Sequence, residues 1–120
     1  MKITLPEGYI FDILSIYQIK ISKAVPEEDT IHLSNFNNLL NEIKSQIGGT
    51  LTDLVINSEE YKNLLISNLS TFELVDAVKT DPCLGKEVDA SNYKRFLAKK
   101  ELQEKWFGPT YSEIKIGYKK

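Results

Sequence analysis

Apolar residues recur along this chain at intervals of three and four, the spacing of one helical face. In the first such segment, about Tyr9 to Lys23, Ile10, Ile13, Leu14, Tyr17 and Ile21 form a stripe that Ile16 and Ile19 widen. The second, about Thr30 to Ile47, places Leu33, Phe36, Leu40, Ile43 and Ile47 three, four, three and four residues apart. That heptad-like seam asks for a long partner, either inside the molecule or across a twofold axis. Asn35, Asn37, Asn38, Asn41 and Lys44 occupy its other faces and read as solvated.

Gly48-Gly49 stops this helix, and Thr50-Leu51-Thr52-Asp53 looks like a capping box opening a short helix to about Ile56. Asn57-Ser58 followed by Glu59-Glu60 is a second start signal, with acids well placed for the helix dipole. A third main helix then runs to about Lys79 through Tyr61, Leu64, Leu65, Leu69, Phe72, Val75 and Val78. Thr80 to Val88 reads as a loop, and Asp89 or Ser91 as the cap of a fourth helix that ends at Phe107, before Gly108-Pro109. At the two ends Ile3 and Leu5, then Ile114, Ile116 and Tyr118, alternate with polar residues as short strands do. The expected architecture is all-α: four main helices in one bundle-like domain spanning 1–120, with a small β-ribbon pairing the termini.

Composition narrows the function classes. The chain has 120 residues, 42% hydrophobic and 27% charged, which suits one packed domain. Fifteen Lys+Arg against seventeen Asp+Glu give a net charge of −2, so it is not a generally basic nucleic-acid binder. No stretch approaches the ~18 apolar residues of a membrane span, and MKITLPEGY has no apolar signal core. A single cysteine, Cys83, cannot form an internal disulfide, which points to the cytoplasm. With His32 as the sole histidine, a metal site built on several histidines is excluded, and no cofactor is expected. Thirteen isoleucines, eight asparagines and one arginine, Arg95, fit an AT-rich genome such as many phages and some bacteria have.

The informative residues are polar ones that fall where the periodicity wants apolar side chains. Lys20 projects among Ile13, Ile16 and Tyr17; Asn68 and Lys79 lie on the Tyr61–Phe72 line; Asp76 lies between Leu65 and Leu69. On the fourth helix Asn92, Lys99 and Gln103 share one line, with Arg95 at its edge. A buried charge costs several kcal/mol unless it is paired and hydrogen-bonded, so these groups must satisfy one another or line a cleft. Two readings stay open. One is an interior network in which Asp76 meets Arg95 or Lys20 and fixes helix register. The other is a cleft for an anionic small molecule, a phosphate or carboxylate, because the cations Lys20, Lys79, Arg95 and Lys99 outnumber Asp76 even with Asp12 added. Either way Lys20, Asn68, Asp76, Asn92, Arg95 and Lys99 should converge.

Other chemistry finds little support. Cys83 would need His32 as its base, and nothing in their spacing links them. The acids Glu27-Glu28-Asp29 and Glu59-Glu60 lack the spaced carboxylates of a calcium loop. No glycine-rich phosphate loop, G-x-S-x-G or C-x-x-C occurs. Tyr93, Phe96, Trp106 and Phe107, at helical spacing, read as core. A helical mutase of chorismate-mutase type would need several cations around a dicarboxylate, and one arginine serves that poorly.

Three blocks resemble an uncharacterised family of short bacterial and phage proteins, found among other places near surface-polysaccharide genes and in cyanophages. Gly8 to Lys20 is similar to that family's G-E-L-V-D-K-I-T-I-L-E-I-K. Asn68, Phe72, Leu74, Asp76, Val78 and Lys79 resemble N-x-x-L-W-x-I-E-D-x-I-R, and Asn92, Arg95 and Lys99 match N-x-x-R-x-x-x-K. Glu113, Lys115 and Tyr118 loosely echo a closing E-E-K-S-Y. Gln18 and Val75 stand where the family has glutamates, Phe72 where it has tryptophan and Lys79 where it has arginine. The resemblance implies a helical fold and shared polar positions, and it supplies no reaction. The expected function is therefore a non-enzymatic binding or accessory protein acting through a protein partner or self-association. The alternative is a small-molecule-binding protein or enzyme for an anionic, phosphorylated or sugar-linked substrate.

Overall fold

A computed structural model describes residues 2–23, 29–108 and 113–117. Strand β1 (Lys2–Pro6) leads directly into α1 (Glu7–Lys23), followed by α2 (Asp29–Ile47), the short α3 (Gly49–Ile56), α4 (Glu59–Val78), α5 (Gly85–Trp106) and strand β2 (Glu113–Gly117). The four long helices and one short helix anticipated from the periodicity are all present. Strands β1 and β2 pair antiparallel, with Ile3 opposite Ile116 and Leu5 opposite Ile114, so the alternating apolar positions of the two ends share a register. Pro26, Glu27, Glu28, Pro109 and Tyr118 lie outside the described residues.

Helix α1 is the hub. It packs against α2 on one side and against the α4–α5 pair, the most extensive helix contact among the described residues, on the other. Being covered from several directions, it buries polar as well as apolar positions: Glu7, Asp12 and Ser15 beside Ile10, Phe11, Leu14 and Ile19. Phe11, fully buried, holds the centre, edge-on to Tyr61 (centroids 6.3 Å apart) and stacked on Phe107 (5.9 Å). Leu39, Ile43, Val55, Leu64, Ala98 and Leu102 complete the same cluster.

Several local expectations are corrected. The α2 seam is rotated: Leu39 and Ile43 are buried, Phe36, Leu40 and Ile47 pack partly against the core, and Leu33 is exposed. Helix α5 begins at Gly85, not at Asp89 or Ser91. The carboxylate of Asp81 accepts from the Cys83 amide at 3.1 Å, Pro82 opens a 3-10 turn, and that turn feeds straight into the helix. Helix α3 has no side-chain cap. The Thr52 hydroxyl turns back to the Gly48 carbonyl at 2.7 Å, and Gly48 itself adopts φ 92°, where glycine is favoured. Ser58 does cap α4, accepting from the Tyr61 amide at 3.2 Å, with Glu59 and Glu60 in the first turn. Gly108 at φ 77° ends α5 as expected.

The fourth helix departs most from its reading. Its core line is Ser91, Arg95, Ala98 and Leu102, and small Ser91 lets α5 approach α4 closely enough for the Ser91 and Thr71 hydroxyls to share a hydrogen bond at 2.5 Å. With that face inward, Tyr93 and Phe96 point to solvent, stacked on each other at 6.3 Å; only Trp106 and Phe107 pack against the core.

Candidate functional site

The polar residues inside the stripes meet where α1, α4 and α5 touch, but not all of them arrive. Buried Asn68, on α4, is the central piece. Its Nδ2 donates to Asp12 Oδ1 (2.8 Å) and to Ser15 Oγ (2.6 Å), both on α1. Its Oδ1 accepts from Arg95 Nε on α5. Arg95 also forms an ion pair through Nη2 with Asp12 Oδ2 (3.5 Å), and its Nη1 donates to Asn92 Oδ1 (3.3 Å). The Ser15 hydroxyl donates to the Asp12 carbonyl at 2.7 Å. Each polar group thus answers another across three helices, and no buried side-chain nitrogen or oxygen among the described residues lacks a hydrogen-bond partner.

The acid that faces Arg95 is Asp12, where the sequence pointed to Asp76. Asp12 heads the line Asp12–Ile16–Ile19; Asp12 bonds to Asn68 of α4, and Ile16 and Ile19 line a groove with Thr71, Phe72 and Val75 of the same helix. Asp76 is exposed and pairs with Lys79 one turn on, at 3.3 Å. Lys20 is exposed with its ammonium near the Tyr17 ring (5.9 Å), and Lys99 lies over the Tyr9 ring (4.0 Å). The four cations therefore do not form one anion receptor. Asn68, Asp76, Lys79 and Arg95 do line one open groove of about 360 Å³, whose apolar wall includes Ile16, Phe72 and Val75.

A second tie joins α5 to the start of α1. Gln103 Oε1 accepts from the Gly8 amide (2.6 Å), while its Nε2 donates to Glu7 Oε1 (3.1 Å) and the Gly108 carbonyl (3.4 Å). Glycine at position 8 permits this close contact, since a Cβ there would stand 3.1 Å from both Gln103 Oε1 and the Lys99 carbonyl oxygen, tighter than an ordinary van der Waals contact. Trp106 Nε1 donates to Glu60 Oε1 (3.1 Å), fastening the far end of α5 to the start of α4. Burial raises the Tyr61 phenol above its ordinary range, and its hydroxyl donates to Gln18 Oε1 at 3.0 Å.

Elsewhere, Cys83 is exposed beside a shallow depression that includes Val78, Lys86 and Asp89 and no histidine. Among the described residues no group of three or more His, Cys, Asp or Glu is placed to hold a metal, and no helix is long and apolar enough to cross a membrane. No protein-family model, curated protein or solved structure matches the chain. The network draws on three separate stretches of the chain, with Asp12 on α1, Asn68 on α4, and Asn92 and Arg95 on α5.

Proposed function

We propose that this chain is a non-enzymatic binding or accessory protein of a phage or bacterial cytoplasm, acting through contact with a protein partner or a second copy of itself. One observation carries the reading. The sole arginine is engaged by Asp12, Asn68 and Asn92, while Phe72, Val75, Tyr93, Phe96 and Leu97 of α4 and α5 stand in solvent. The one arginine is used inside the fold, and apolar surface that could seat a partner is left outside it. The isoleucine- and asparagine-rich composition and the motif resemblance support the phage or bacterial origin; the lone exposed cysteine supports the reducing compartment.

The rival reading, an anionic, phosphorylated or sugar-linked ligand, has one feature in its favour: Lys79 and Arg95 line the same groove. Titrating phosphate and sulfate against chloride at matched ionic strength, with thermal unfolding as readout, separates the two. The binding reading expects no saturable difference among the three salts, only the gradual, non-saturating rise that sulfate and phosphate give any fold. Saturable stabilisation by phosphate that disappears in Arg95→Met would overturn it.

A further inference from the structure

Helix α5 has two faces. At about 100° per residue, Ser91, Arg95, Ala98 and Leu102 fall within about 60° of one another on the core side, and Tyr93, Phe96 and Leu97 centre about 180° away. These three are 62%, 51% and 37% exposed, and the Tyr93 and Phe96 rings lie nearly parallel. The outward face carries a heptad pattern. Lys86, Ala90, Tyr93, Leu97, Lys100 and Glu104 are spaced four, three, four, three and four residues apart, and all are exposed.

We propose that this outward face of α5 is a self-association surface whose occupant is α5 of a second copy, running antiparallel about a twofold axis beside Tyr93 and Leu97. The proposal rests on the binding reading above and makes it specific. Along the seam itself, charge matches both this occupant and this direction. In the antiparallel register Tyr93 faces Leu97 of the second copy, and Lys86 faces its Glu104. Small Ala90 leaves room for the Lys100 stem, whose ammonium then reaches Asp89 of the other chain. The twofold axis makes each of these contacts twice. A parallel pairing would instead set Lys86, Lys100 and Glu104 each against its own copy, three like-charge contacts. Lys100 and Glu104, 3.9 Å apart within the helix, already hold their side chains along this seam. From Lys86 to Glu104 the seam is about 27 Å long. A contact of one helix face belongs to the small end of interface sizes, so a dissociation constant of roughly 10–100 µM is expected.

Sedimentation equilibrium of the full chain from roughly 1 to 500 µM spans that range. The mass should rise from 13.7 kDa toward twice that value. Phe96→Glu, at an exposed position, should keep the dilute melting temperature and weaken association about thirtyfold or more. Lys86→Glu and Glu104→Lys should each weaken self-association alone, while an equimolar mixture of the two should associate more tightly than either, because each chain then supplies the charge the other lacks. A mass of 13.7 kDa at every concentration would overturn the proposal. So would undiminished association of Phe96→Glu, which would put the interface on another face, or a mixture no tighter than its components, which would exclude the antiparallel register. None of those results touches the broader binding reading, which falls instead to saturable, Arg95-dependent phosphate binding.

Discussion

Replacing Arg95 with methionine keeps the length of the side chain and removes its charge and its donors. Asp12 would be left with Asn68 as its side-chain donor, and Asn68 Oδ1 would lose the guanidinium that now bonds to it. Removing one partner of a fully buried ion pair costs about 3–5 kcal/mol, and an exposed pair is worth about 0–1 kcal/mol. This pair lies between those limits, with the Asp12 side chain 11% and the Arg95 side chain 29% exposed. A loss of about 2–3 kcal/mol is the resulting expectation, equivalent to a fall in melting temperature of about 8–12 °C for a domain of this size. Urea unfolding at neutral pH measures it. Asp76→Asn, which touches only the exposed Lys79 pair, is the control and should stay within about 0.5 kcal/mol of the native chain. Pairing Arg95→Met with Asp12→Asn should give a coupling of at least about 1 kcal/mol in a double-mutant cycle. A loss below about 0.5 kcal/mol, or strict additivity of the two changes, would refute the reading of this cluster as a structural tie.

Alanine in a helix usually stabilises relative to glycine, by about 0.5–1 kcal/mol. Gly8→Ala should instead destabilise by about 1–2 kcal/mol in urea unfolding, because room for the new Cβ requires the Lys99 carbonyl oxygen 3.1 Å away, part of the α5 backbone, to shift by a few tenths of an ångström; a stabilised variant would contradict the close approach of α1 and α5. Tyr61 predicts an alkaline transition. With its folded-state pKa raised by burial, the native chain holds its proton while the unfolded chain releases it above pH ~10. Stability attached to this residue is therefore full below pH ~10 and falls as pH rises further, by up to about 1.4 kcal/mol per pH unit. Tyr61→Phe should remove that part of the slope and cost about 1 kcal/mol at pH 7 through the lost bond to Gln18; equal alkaline slopes in the two chains would reject the assignment.

The helices were legible because long amphipathic segments announce themselves. Even the short α3 and the pairing of the two ends follow from turn residues and alternation. What the pattern misread has a common cause: periodicity shows that a residue lies on a stripe, not which of two stripes faces the core. Phe96 and Tyr93 outweigh Ser91 and Ala98 in any hydrophobic count, yet the small residues face inward because closeness between α4 and α5 is what that contact requires. Asn68 and Arg95 were visible as polar groups on apolar lines. Their partner Asp12 was harder to see, because the stripe it heads on α1 looked like the margin of a wider one. Lys20, Lys79 and Lys99 shared the same phase as the network, and their length let each settle over a ring or beside an acid outside it. The Gln103 tie had no sequence signal beyond an amide on the line of Asn92 and Lys99.

Because Arg95 is the only arginine in the chain, its Nε–H gives a single, unambiguous signal in a proton–nitrogen correlation spectrum. That signal reports directly on whether the guanidinium is tied inside the fold or free to take a ligand. Bound to Asn68 and paired with Asp12, the Nε–H should exchange slowly with water and keep its position as phosphate is raised to roughly a hundred times a millimolar dissociation constant. Rapid exchange at neutral pH, or a saturable shift of that one signal with phosphate, would contradict the account.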